Sequence, residues 1–349
     1  MPPAMHALAL SGTGGLEHLS IAELPRPEIR HAGEVLVRMH AAGLNRLDLF
    51  VAAGLPGIDY AFPHVVGSDG AGVVEAVGDE VREVRPGDRV MINPGVSCGQ
   101  CAACREEEES LCATFRVLGE HRAGTAAEYV VVPGANLAPV PETMPWSQAA
   151  AFSLATLTAW RMLVTRAQVR AGETVLIWGI GGGVAMAALQ IARHLGVRAI
   201  VTSGSDAKLE AARCLGADET INHATANVVD EVRRLTGGRG VDVVADSVGE
   251  RRWQDSLRAM RRGGRLVICG ATSGSMVSLD LRRLFWHQWS VLGSTLGNRR
   301  EYGEVVRLAH QGQLWPVVDR VVPLAEWRVA LGRLERGEQI GKLVLEVSP

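Results

Sequence analysis

The sequence predicts an α/β protein built on a doubly wound parallel sheet and preceded by a mostly β domain. Three observations carry that reading. In the stretch Thr174 to Ala192, TVLIWGIGGGVAMAALQIA, an apolar run, a glycine-rich turn and a helical repeat follow one another. Strand-like and helix-like segments then alternate as far as Cys269. Residues 1–144 lack that alternation and carry short β-rich runs broken by glycine and proline.

In chain order, Glu34–Met39, Gly72–Val77, Arg89–Asn93 and Ala127–Val132 read as strands, with turns at Pro86-Gly87-Asp88 and Pro133-Gly134. Pro139–Pro145 leads into a helix expected over Trp146–Leu163. Thr174–Trp178 reads as a buried strand and Gly179–Gly183 as a turn. Val184, Ala188, Ile191, Ala192 and Leu195 fall on one helix face. Further strands are expected at Ala199–Thr202, near Thr220, at Val241–Asp246 and at Leu266–Cys269. Helices at Ala207–Leu215, Asp230–Leu235 and Trp253–Met260 connect them. The helices Arg300–Gln311 and Leu324–Arg336 and the strands Val317–Val322 and Lys342–Val347 are expected to return to the first domain. The acidic run Glu106–Glu109 reads as a solvated loop tip.

The 349 residues are 47% hydrophobic and 21% charged, which is ordinary globular composition. A formal net charge of −2 offers no basic field for nucleic acid. No apolar run approaches the ~20 residues of a membrane span. The beginning MPPAMHALAL lacks the basic and apolar regions of a secretory signal, so a cytoplasmic protein is expected. Lysine occurs only at Lys208 and Lys342 among 36 cationic residues, a bias that reads as compositional rather than mechanistic.

Two motifs carry chemistry. Glycines at Gly179, Gly181, Gly182 and Gly183 remove the Cβ atoms that would hold a backbone away from a pyrophosphate. The helix that opens at Val184 turns its free N–H groups toward the same anion. The second strand ends in Val201-Thr202-Ser203-Gly204-Ser205 rather than in an acid. Ser203 leaves room for a 2′-phosphate that Lys208 can neutralise, Asp206 being the discordant charge, so NADP(H) is expected ahead of NAD(H). Gly249, Gly270 and Ala271 follow the fourth and fifth strands, at the carboxyl edge where ligands bind. Cys98, Cys101, Cys104 and Cys112 place four soft ligands within fifteen residues, the density of one tetrahedral zinc. Such a closed thiolate shell has no open position, so this zinc is structural.

The pattern Gly67-Ser68-Asp69-Gly70-Ala71-Gly72-Val73-Val74 resembles the medium-chain dehydrogenase/reductase superfamily. Gly78, Pro86-Gly87-Asp88-Arg89-Val90, Gly216-Ala217-Asp218 and the closing Gly341-Lys342 add to the resemblance, which covers essentially the whole chain. It implies a chaperonin-10-like β barrel from residues 1–146 and 298–349, a Rossmann domain over 147–297, and an active site in the cleft between them. It also implies that Thr158 lies beside the nicotinamide, that His223 packs near the adenosine phosphate, and that Asn45 and Lys342 contact the coenzyme. A homodimer or homotetramer, paired through Leu279–Gly293, is expected on the same ground.

Zinc alcohol dehydrogenases of that superfamily hold a second, catalytic zinc through a cysteine, a His-Glu pair and a ligand on the bridging helix. Here those places carry Asn45, Ser68-Asp69 and Leu154. Without a Lewis acid, a plain alcohol is a hard substrate. A quinone or enone spreads its developing charge, which hydrogen-bond donors can stabilise. The sequence therefore predicts hydride transfer from NADPH to a conjugated carbonyl. Asn45 would donate to the substrate oxygen, Asp48 would orient it or relay a proton, and Thr158 would stand beside them. His64, His121 and Tyr60 are weaker candidates for proton donors. The alternatives are an alcohol dehydrogenase and a coenzyme-binding protein without catalysis.

Overall fold

The structure, a computed structural model, describes residues 3–348. The chain separates into two compact units, one of residues 1–154 with 298–349 and one of residues 155–297.

The second unit holds a six-stranded, wholly parallel sheet. Its order is Glu219–Asn222, Arg198–Ser203, Thr174–Ile177, Val241–Asp246, Met260–Ile268 and Ser290–Gly293. This is the doubly wound arrangement, and the order reverses at Thr174–Ile177, immediately before the glycine turn. Thr174–Ile177 and Val241–Asp246 are buried along their whole length, as strands covered on both faces must be. The helix Gly183–His194 buries Ala185, Ala188, Leu189, Ile191 and Ala192. Two elements escaped the periodicity, the helix Leu281–His287 and the edge strand Ser290–Gly293. Both leave most of their apolar side chains exposed, so neither shows a buried face to read.

In the first unit the eleven-residue strand Glu34–Leu44 is the centre of a seven-stranded sheet. It pairs with Asp69–Val77, Tyr129–Pro133 and Lys342–Glu346, all antiparallel. A hairpin of Ala4–Leu10 and Leu19–Pro25, not foreseen from the sequence, forms a smaller sheet with His64–Val65. The glycine pattern around Asp69 is a packing requirement: a Cβ on Gly72 would lie 2.1 Å from the Arg38 carbonyl oxygen. Glu109 is a correction to the solvated acidic loop. It is 8% exposed and accepts a hydrogen bond from the Arg299 backbone at 3.3 Å.

The single helix expected over Trp146–Leu163 is instead three pieces: Trp146–Ala150, Ser153–Trp160 and a π-helical stretch Arg161–Arg166. The first break has a local cause. Ala150 presses its carbonyl so close to Gly43 that a Cβ there would approach within 2.3 Å. Asp69 Oδ1 then accepts the Leu154 N–H at 2.6 Å, replacing a helical partner at the start of the second piece. No helix among the described residues is long and apolar enough to cross a membrane.

Candidate active site

Asn45 ends the central strand and precedes the helix Arg46–Ala53. Its backbone N–H donates to Asp48 Oδ2 at 2.7 Å, and Gly67 N–H donates to Asp48 Oδ1 at 3.1 Å. Asp48 is 2% exposed, and burial raises its carboxyl to about 6 against the opposing pull of those backbone donors. The sign follows from linkage. Above its ordinary value near 4 the unfolded carboxyl is ionised while the native one holds its proton. Asp48's contribution to stability therefore falls as pH rises from about 4 to about 6. Urea titrations across that window should show a decline that Asp48→Asn flattens. An unchanged slope would place the titration elsewhere.

The Asn45 side chain is spent inside the protein. Nδ2 donates to Asp69 Oδ2 at 3.0 Å and to the Gly43 carbonyl at 3.4 Å, while Oδ1 accepts from Lys342 Nζ at 2.5 Å. The donor expected to reach a substrate oxygen is thus engaged by neighbours of its own unit. Lys342 Nζ also lies 2.8 Å from Asp69 Oδ2, with the lysine side chain 4% and the aspartate side chain 0% exposed. Both Asp69 oxygens are occupied, Oδ1 by Leu154 N–H and Oδ2 by Lys342 and Asn45. The sequence pointed to Lys342 as a coenzyme contact; the structure places it in a buried ion pair. Its rarity as one of two lysines among many arginines was the available signal.

Other candidates separate from this network. Ser68 Oγ donates to the Leu118 carbonyl at 2.7 Å, and His64 Nε2 lies 3.0 Å from the Gly119 carbonyl. Burial lowers the His64 ring below its ordinary range. Tyr60 packs edge-on against it, with centroids 5.0 Å apart. His121 Nδ1 accepts the Val117 N–H at 3.2 Å. Thr158 is 6% exposed in the helix Ser153–Trp160 and belongs to the other unit.

The coenzyme implied by the fold meets a fitting cradle in that second unit. Gly179 and Gly181 have φ of +70° and +107°, which favour glycine. A Cβ on Gly181 would lie 2.6 Å from Lys208 Cδ, so the lysine stem lies against the turn. Gly182 is the helix N-cap without a side-chain partner, followed by Gly183 and Val184 in the first turn. Ser203 Oγ accepts the Ser205 N–H at 3.2 Å, and Asn222 Nδ2 donates to Asp206 Oδ1 at 2.7 Å. A Cβ on Gly204 would lie 3.3 Å from His223 Nε2, and the His223 ring is lowered by burial and then by Arg252. Gly249 serves packing, since a Cβ would meet the Gly274 oxygen at 2.6 Å. Gly270 lies against Ser247, and Ala271 is exposed.

The four thiolates also fit their metal. Sγ separations are 3.5 Å for Cys101 and Cys104, 3.6 Å for Cys98 and Cys112, and 3.9 Å for Cys98 and Cys104. Zn–S bonds of about 2.3 Å give a tetrahedron with edges of about 3.8 Å. All four sulfurs lie within 4.8 Å of one another, and no cysteine forms a disulfide. The cluster fits a structural zinc, and it is the metal-like group of ligands found among the described residues.

Residues 31–142 match the family model of the alcohol dehydrogenase GroES-like domain and residues 183–311 that of the zinc-binding dehydrogenase. A quinone oxidoreductase of Mus musculus is 29% identical over 98% of this chain and 97% of its own length. A solved NAD-dependent alcohol dehydrogenase is 45% identical with a TM-score of 0.94, over 99% of this chain and 100% of that one. A 2-octenoyl-CoA carboxylase reductase, solved with NADP and 2-octenoyl-CoA, is 30% identical with a TM-score of 0.90, over 99% and 88%.

Proposed function

The chain belongs to the medium-chain dehydrogenase/reductase superfamily, and from that premise we propose that it reduces a conjugated carbonyl, a quinone or an enone, with NADPH and without an active-site metal. It is an oxidoreductase by family, so the proposal concerns substrate, coenzyme and site. The observation that carries it is the commitment of Asp69. In this place a divalent cation would need free donor oxygens, and both are taken by Lys342, Asn45 and Leu154. Asn45 and Ser68 offer neutral oxygens in place of thiolate and imidazole, a poor set for zinc.

A bound nicotinamide supplies the hydride. The residues of this chain hold the coenzyme and stabilise negative charge on the substrate oxygen. Gly179, Gly181, Gly182 and Gly183 let backbone N–H groups close on the pyrophosphate, and Ser203 and Lys208 receive the 2′-phosphate. In this reading Asn45, Lys342 and Asp69 form a fixed, mutually satisfied polar wall where a catalytic metal would otherwise sit, and they act on the substrate by holding that wall in place rather than by direct contact. The reductase solved with NADP and an enoyl thioester supports the substrate class. The 45% identity to an NAD-dependent alcohol dehydrogenase favours a second reading, a simple alcohol with NAD.

One panel separates them: quinones, enones and alcohols with both coenzymes. Quinone or enone turnover is expected to fall in Asn45→Ala, because the Lys342–Asp69 pair loses the amide that bridges it, with NADPH binding nearly intact. Lys208→Ala should weaken NADPH some tenfold and leave NADH unchanged. Alcohol oxidation that a chelator abolishes would establish the second reading. We also assign homo-oligomerisation to the edge strand Ser290–Gly293 and its flank, where Phe285 and Trp286 are 66% and 65% exposed. Light scattering should find a dimer or tetramer that Trp286→Asp dissociates.

A further inference from the structure

At the amino ends of Val241–Asp246 and Met260–Ile268, the edge opposite the glycine turn, lies a cavity of about 440 Å³. Arg233, Arg239, Arg258, Arg262, Arg283 and His287 line it. Their charges are poorly balanced. Arg239 and Arg261 share the buried carboxylate of Asp242, Arg239 at 2.7 Å. No ion pair among the described residues reaches Arg233, Arg258, Arg262 or Arg283.

Three of these four guanidinium groups, those of Arg233, Arg262 and Arg283, are nonetheless held in place. Arg233 donates from Nη1 to the Gly238 carbonyl at 2.8 Å and from Nη2 to the Arg258 carbonyl at 2.9 Å. Arg283 lies 5.4 Å over the Trp289 ring and Arg262 lies 5.8 Å over Trp286. His287 stacks on Trp289 at 4.6 Å. Its ring is lowered by burial first, then by Arg262, Arg283 and Arg233. Helix dipoles account for Arg233 and Arg258, which sit at the carboxyl ends of Val228–Leu235 and Glu250–Ala259. They do not account for Arg262 and Arg283, which lie on a strand and near the start of another helix.

We propose that this cavity is a second anion site, remote from the coenzyme cradle, which takes a compact ligand bearing two linked phosphate groups. Guanidinium forks match phosphate oxygens two by two, and the four without carboxylates exceed what one monovalent anion neutralises. The volume holds more than a single phosphate, and the site is independent of the substrate reading given above.

The test is calorimetric titration of the coenzyme-saturated protein with inorganic pyrophosphate at constant ionic strength, so that the glycine turn is already filled. One pyrophosphate per chain is expected, with orthophosphate and sulfate at least tenfold weaker. The double variant Arg258→Ala with Arg262→Ala should lose at least tenfold in pyrophosphate affinity. Its coenzyme affinity and melting temperature should stay unchanged, because both side chains are exposed. Arg262→Lys, which keeps the charge and loses the fork, should fall between. Absence of binding to the saturated protein, equal affinity for sulfate, or full affinity in the double variant would each overturn the assignment.

Discussion

Lys342→Met is expected to lower the free energy of unfolding by about 3 to 5 kcal/mol, the usual cost of stranding one partner of a buried ion pair. Asp69, its side chain fully buried, would lose its cationic partner, and the Asn45 amide would lose the ammonium that fixes its oxygen. Asp69→Asn should cost a comparable amount by stranding the lysine. Combining the two should recover much of the loss, because neither charge then remains unpaired. Denaturant titrations of the four proteins read this as a coupling energy. Effects that merely add, within about 0.5 kcal/mol, would show that the pair does not act as a unit. Lys342→Arg keeps the charge and should lose least.

The second large effect concerns the thiolate cluster. Elemental analysis should find one zinc per chain, and Cys101→Ser should lower zinc content and melting temperature together. Apparent binding free energies of structural zinc are about 10 to 16 kcal/mol in small domains, so even partial loss should be evident. Coenzyme affinity should hardly change, since the cluster belongs to the unit without the glycine turn. Two zincs per chain, the second lost in Asp69→Asn, would overturn the metal-free active site.

The glycine turn and its sheet were legible because their signals are local: apolar runs, positive-φ glycines and one-faced helices recur within thirty residues. The cysteine cluster was legible for the same reason. The ion pair was not, because Lys342 and Asp69 stand 273 positions apart and nothing near either marks the other. The identity of Leu154 speaks of a lost ligand, whereas its contribution is a backbone N–H that no side-chain identity reveals. Asn45 stands in the sequence as a donor to substrate because a sequence names a side chain without naming its partners. The arginine cavity was hidden differently. Its members are spread from Arg233 to Arg283 over two helices and a strand, in a chain where arginine is commonplace.

The strand Lys342–Glu346, which carries the lysine, docks antiparallel on Glu34–Leu44 beside Asn45. A ribosome therefore delivers Asp69 long before the cation that neutralises it, with the continuous residues 155–297 emerging in the interval. The second unit can begin to close as it is made, whereas the first must wait, its central strand lacking one neighbour and its buried acid uncompensated. The buried network of Asn45, Asp69 and Lys342 is thus completed by the last strand of the sheet to be synthesised. A nascent chain without it holds the aspartate in a form that water, rather than protein, must accommodate.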